Sequence, residues 1–178
     1  MAEEELACTL PQRWAHSRGV ARRATELVDL LGTDIDVLAS AAILHDVGYA
    51  PRLAVTGFHP LDGARFLRDV HQADERLVHL VANHSFALMK AEERGLRAAL
   101  EAEFPPFRDQ FLTNALVWSD MTTSPGGELT TAAERVAEII GRYGVDSVVG
   151  RFIRRASPEI FAAVSQVESA LGDQSRGG

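Results

Sequence analysis

The chain contains six histidines, at positions 16, 45, 59, 71, 79 and 84. His45 is followed directly by Asp46, and the pair closes the small, apolar run Ala39–Leu44 just ahead of Val47-Gly48. A His-Asp pair alone is weak evidence of chemistry. Here the preceding run brings two polar side chains to the edge of a core, where each must be satisfied, and a metal ion does this efficiently. His16, His59, His84 and Asp120 fall near the ends of other expected helices. Helix ends converge around an apolar core, which is how bundles assemble metal sites. With His45 and Asp46 they offer four imidazoles and two carboxylates, a mixed set that suits iron or manganese and is compatible with zinc, cobalt, nickel or magnesium. Six protein ligands are too many for one hydrolytic ion that must keep open positions. They suit two divalent ions roughly 3.5–4 Å apart, with Asp46 bridging.

The elements that must position these residues read as helices. Apolar residues from Gln12 to Leu31 (Ala15, Val20, Ala24, Leu27, Val28, Leu31) recur at helical spacing up to Gly32. Thr33 or Asp34 caps a second helix through Ile35, Leu38, Ala42 and Leu44 that ends by Gly48. His59-Pro60 starts a third, and Asp74 opens a fourth that runs to about His84. A charged helix is expected over Lys90–Glu103, closed by Pro105-Pro106, and an apolar one over Arg108–Met121. After a Ser124-Pro125-Gly126-Gly127 turn come helices over Thr131–Tyr143 and Pro158–Leu171, with a short one between, over Val145–Ala156. No stretch sustains the period-two alternation of a strand. The expected fold is a single all-α domain over residues 11–171, with flexible ends at 1–10 and 172–178.

Composition narrows the functional classes. With 178 residues, 46% of them hydrophobic and 24% charged, the chain has globular composition and can bury one core. A single cysteine, Cys8, excludes an internal disulfide scaffold. No apolar run approaches the roughly 18 residues of a membrane span. The acidic start Met1-Ala2-Glu3-Glu4-Glu5 is unlike a signal peptide, so a cytoplasmic protein is expected. A net charge of -7 argues against an extended nucleic-acid surface but leaves room for a small phosphorylated substrate, because a bound metal inverts the local field. Arginine dominates the basic residues, and Lys90 is the one lysine. A homo-oligomer is compatible with all of this.

The ordered set His16, His45-Asp46-Val47-Gly48, His59-Pro60-Leu61-Asp62-Gly63-Ala64, His84 and Asp120 resembles the HD-domain superfamily of metal-dependent phosphohydrolases, over roughly residues 13 to 122. The resemblance implies that His16, His45, Asp46 and Asp120 are the core metal ligands, and that His59 and His84 mark the subset with a second metal. It implies a metal-activated hydroxide attacking phosphorus in line, on a small phosphorylated metabolite such as a nucleotide or dinucleotide. Arg18 is then expected as a phosphate clamp, and Asp62 as an acceptor orienting a ligand histidine. Where some family members carry Lys or Glu after the His-Asp-x-Gly block, this chain has Tyr49, followed by Ala50-Pro51-Arg52. Tyr49 or Arg52 would have to supply that contact.

Two other functions fit the same ligands. Diiron members of the superfamily are oxygenases that use a substrate-contacting lysine, and Lys90 is the available one. A non-catalytic, metal-containing binding module is the third reading, set back by the completeness of the ligand set. His71 and His79 fall outside the pattern and read as surface or helix-end residues, as do Arg151, Arg154 and Arg155. Trp14 and Trp118 read as core or pocket wall.

Overall fold

The computed structural model describes residues 1–177. Among them no strand forms; a lone bridge pairs Thr123 with Leu129. Every long element is a helix: α1 (Ala2–Leu6), α2 (Pro11–Thr25), α3 (Val28–Leu31), α4 (Ile35–Leu44), α5 (His59–Asp69), α6 (Glu75–Asn83), α7 (Ala87–Glu92), α8 (Arg97–Glu103), α9 (Gln110–Met121), α10 (Ala132–Tyr143) and α11 (Val148–Gly177). The all-α expectation is met. No described helix is long and apolar enough to cross a membrane.

Helix α4, whose Leu38, Ala41, Ala42 and Leu44 are buried, packs against α2, α6 and α9. Small alanines let these neighbours approach closely, so the C-terminal end of α4 emerges in the middle of the bundle. His45 and Asp46 stand there. Caps hold the flanking helices in register. The Asp74 carboxylate accepts from the Arg76 and Leu77 amides, Asp109 accepts from Leu112, and Thr131 with Glu134 forms a capping box at α10.

Several boundaries differ from expectation for identifiable reasons. The Gln12–Leu31 helix ends at Thr25, and after a turn α3 and a 3₁₀ turn over Gly32–Asp34 complete the connection. Asp34 does not cap α4 with its side chain; it pairs with Arg76 at 2.8 Å. The Lys90–Glu103 helix is two, α7 and α8, separated by a turn through Gly95. The short Val145–Ala156 helix and the Pro158–Leu171 helix are one. α11 runs through Pro158, and the lost backbone bond is offset by burial of Ile153, Ala156, Ile160, Ala163 and Val167 along α9 and α10.

The first ten residues, expected to be flexible, carry α1, whose Leu6 is fully buried and whose Glu5 is held in a bidentate pair by Arg52. At the other end α11 continues to Gly177, while the last residue of the expected flexible tail, Gly178, lies outside the described residues.

Two close backbone approaches fix the parts of the site. A Cβ at Gly48 would lie 2.1 Å from the His59 carbonyl oxygen, so only glycine lets the 47–49 turn meet the start of α5. Gly127 sits at φ +86° with its backbone pressed against Gly19 and the Ala15 carbonyl of α2. That packing brings the Ser124–Gly127 turn down onto α2, where Arg22 donates to the Gly127 carbonyl at 2.8 Å.

Candidate metal centre

The helix ends deliver His16, His45, Asp46, His59, His84 and Asp120 to one place, all of them buried. His16 comes from the second turn of α2, His45 and Asp46 from the end of α4, and His59 from the first position of α5. His84 follows α6, and Asp120 lies in the last turn of α9. Two trios, His16–His45–Asp46 and Asp46–His59–His84, each have ligand atoms within 4.8 Å of one another, and Asp46 belongs to both. Its Oδ1 lies 3.6 Å from His45 Nε2 and 3.4 Å from His59 Nε2. Asp120 Oδ1 stands 3.0 Å from His16 Nε2.

The hydrogen bonds behind the ligands identify the free nitrogens. His16 Nδ1 donates to the Ser124 carbonyl at 2.9 Å, His45 Nδ1 to Ala42 at 2.8 Å and His84 Nδ1 to Val81 at 2.6 Å. A carbonyl oxygen only accepts, so each Nδ1 carries hydrogen and each Nε2 turns inward. The Nε2 atoms of His84 and His16 then meet other site atoms: His84 Nε2 is 3.1 Å from His59 Nε2, and His16 Nε2 is 3.0 Å from the Asp120 carboxylate. Such contacts are repulsive unless a proton or a cation sits at each. Nitrogen and carboxylate donors gathered this way fit divalent transition-metal ions.

Electrostatics agree. Burial alone would raise the Asp46 carboxyl, but His45, Arg13, His59 and His16 hold it well below the usual range. The Asp120 carboxyl is likewise held low against the effect of burial, first by its hydrogen bond from His16. Burial, with the charge of Lys90, pushes His59 well down; burial, with His45, pushes His84 down to about 4. Both rings are therefore neutral near pH 7, the state a metal requires. His16 moves the other way: burial opposes its protonation, but the bond to Asp120 together with the charges of Asp120 and Asp46 outweighs burial.

Ser85 adds a contact that the spacing did not announce. Ser85 and Phe86 both have left-handed backbone, at φ +46° and +60°, a strained pair for residues other than glycine. This reversal after α6 aims the Ser85 hydroxyl at Asp120 Oδ2, to which it donates at 2.5 Å.

The arginine at the site is Arg13, and Arg18 is elsewhere. Arg18 is exposed and does not line the cavity. Residues two apart on a helix point to nearly opposite sides, so Arg18 faces away from His16, whereas Arg13, three before it, shares its face. Arg13 pairs with Asp46 Oδ2 at 2.8 Å and lies 3.4 Å over the Tyr49 ring. Tyr49 in turn stacks on His59 at 3.8 Å between ring centroids. Burial and Asp46 raise its phenol further, so Tyr49 keeps its proton.

Arg52 is occupied with Glu5, outside the cavity, and does not replace the contact expected beside Tyr49. Asp62 orients no histidine; it accepts from the amide and hydroxyl of Thr56 and fixes the loop ahead of α5. His71 is exposed against Phe66, His79 bonds the Pro105 carbonyl, and Arg151 and Arg155 pair with Glu93 and Glu92 on the surface. Trp118 is fully buried in the core.

Beyond the ligands, α10 and α11 build a wall that includes Ile139, Tyr143, Phe152 and Ile153. Three more cations join it: Lys90, Arg135 and Arg142. Burial pushes the Lys90 ammonium down to about 8, with Asp46 opposing and Arg94 and Arg13 adding to the fall. The space left in front of the ligands is a cavity of about 120 Å³.

Residues 13–155 match the model of the HD domain, and the chain belongs to that family. HD domains bind divalent metals and are generally hydrolases. The chain is also similar to Ribonuclease Y of Rubrobacter xylanophilus (strain DSM 9941 / JCM 11954 / NBRC 16129 / PRD-1), 34% identical over 88 residues. That stretch is 49% of this chain and 17% of the relative, so the chain matches about a sixth of that protein's length. No solved structure matches.

Proposed function

We propose that this chain is an HD-type phosphohydrolase that removes phosphate from a small phosphorylated metabolite, a nucleotide being one suitable class, with residues 11–171 as the working unit. The observation that supports the reading is the pair of buried trios sharing Asp46, whose ring nitrogens and carboxylates point at one another so that a divalent cation at each would reconcile them. His16, His45, Asp46 and Asp120 would hold one divalent ion, and Asp46, His59 and His84 a second, iron or manganese by the chemistry of the donors. Bound there, such ions supply an acidified water and a polarised phosphoryl oxygen.

The chain's own groups do the rest. The three Nδ1–H bonds to backbone carbonyls fix the imidazole planes, so no reorganisation is needed when charge develops. Tyr49, held between Arg13 and His59, positions both rather than titrating. Arg13 is the guanidinium beside the ligands, on the side where Arg18 was expected as a phosphate clamp, and it holds Asp46. Helices α10 and α11 narrow the approach to the ligands and exclude bulk water from them.

The name of the Rubrobacter relative describes a ribonuclease. A net charge of -7 and a cavity of about 120 Å³ favour a small ester over a polymer here. A cytoplasmic location belongs with the same reading. The test is a phosphoester panel run with iron- and manganese-loaded protein. Phosphate release that disappears in His45→Ala and Asp46→Ala is expected. Oxygen consumption without phosphate release, or no turnover with any metal, would overturn it.

A further inference from the structure

Four cations line the cavity: Arg13, Lys90, Arg135 and Arg142. Three are committed to carboxylates. Arg13 pairs with Asp46, while Arg135 and Arg142 both pair with Glu138. Among the described residues Lys90 has neither an ion-pair partner nor a hydrogen bond; its Nζ lies 5.9 Å from the centroid of the Phe152 ring. Lys90 is half-buried, and an ammonium partly withdrawn from water without a counter-ion carries a desolvation cost; the chain has placed its one lysine in that position.

The position is also constructed. The left-handed Ser85–Phe86 pair turns the chain back after His84, so that α7 runs beside α11 and brings Lys90 to the cavity wall. A cation placed this way fits an anion that arrives from outside. The three arginines already face carboxylates, and the open cavity of about 120 Å³ accepts a phosphoryl group with a small remainder. Typical pockets for larger ligands run to roughly 300 Å³ and above.

We infer that Lys90 is the residue that binds the phosphoryl group of the substrate, and that the site takes a phosphomonoester as its dianion rather than an internal diester of a chain. The inference rests on the phosphohydrolase reading and adds to it the anchor and the charge state of the substrate. Lys90 supplies up to three N–H donors to phosphoryl oxygens, and the desolvation that disfavours the free ammonium is relieved when the anion enters.

The test uses manganese-loaded protein and inorganic phosphate, the product analogue, as the probe. Calorimetry is expected to show Lys90→Met weakening phosphate by about tenfold to a hundredfold, the worth of a charge-assisted bond, with Lys90→Arg restoring most of it. Manganese content should stay unchanged in both variants. In the wild-type protein, acylation of the single lysine by N-hydroxysuccinimidyl acetate, read by peptide mass spectrometry, should slow when phosphate is added; this arm holds even if a variant fails to fold. Phosphate that binds without slowing acylation, or with equal affinity to Lys90→Met, overturns the inference. Turnover of p-nitrophenyl phosphate is measured alongside. Ester hydrolysis without Lys90 protection sinks the anchor and spares the phosphohydrolase, whereas protection without hydrolysis of any ester keeps the anchor and sinks the parent reading. Failure of phosphate to bind at all removes the anchor.

Discussion

Replacing Gly48 with alanine should damage the site without touching a ligand. The added Cβ would lie 2.1 Å from the His59 carbonyl oxygen and 2.5 Å from the Gly63 amide nitrogen. Both neighbours are backbone and cannot rotate aside, so the 47–49 turn and the start of α5 must separate. Overpacking of this kind costs about 1–3 kcal/mol, and rigid neighbours place Gly48→Ala near the upper end. For a domain of this size that lowers the melting temperature by roughly 6–12 °C. Because Asp46 precedes the turn and His59 starts α5, the same movement should pull the Asp46–His59–His84 trio apart and reduce bound metal. Gly141→Ala is the matched control. It is exposed within α10 and its Cβ would meet nothing within 4 Å, so a gain of about 0.5 kcal/mol is expected. Melting curves with metal analysis on both variants read the difference. A Gly48→Ala protein with unchanged melting and full metal content would refute the packing argument.

Removing His59 and His84 together should leave one ion per chain where the wild type binds two, measured by elemental analysis; Asp46→Asn should bind neither tightly. Arg13→Ala strips the buried Asp46 carboxylate of its guanidinium, and metal-free protein should lose about 1–3 kcal/mol in urea denaturation, whereas Arg18→Ala should change little. Lys90 gives a pH signature in the metal-free protein. Its folded-state value of about 8 lies below the ordinary 10.5, so between them the unfolded chain holds the extra proton and stability rises with pH. The cost is fully present below about pH 8 and is relieved as pH climbs toward 10.5. The urea midpoint should therefore show an upward slope over that window, and Lys90→Met should lose it.

The helical fold and the gathering of the ligands were legible in the sequence because both rest on short-range rules. Apolar spacing reports the helices, and ligands near helix ends suggest a convergent site; the resemblance of the ordered set to the HD-domain superfamily is what singled out His16, His45, Asp46, His59, His84 and Asp120 before their distances were known. What escaped depended on direction and tertiary partners. Arg18 was expected as the clamp and Arg13 was passed over, although helical geometry alone puts Arg13 on the His16 face. Asp62 had a closer task with Thr56 than with any histidine. Pro158 read as a helix start, yet the apolar stripe from Ile153 to Val167 carries α11 across it. Ser85 and the α10–α11 wall left no local signal, since a left-handed serine and a side chain lining a distant cavity both follow from packing. Arg13 did carry one, its place three residues before His16.

Central to the proposed site are two cations that would share Asp46. A crystal structure of manganese-loaded protein, with anomalous scattering recorded at the manganese edge, tests this most directly. Two anomalous peaks roughly 3.5–4 Å apart are expected, one against His16, His45 and Asp120, the other against His59 and His84, with Asp46 between them. An empty cluster, or manganese bound only elsewhere on the chain, would contradict it.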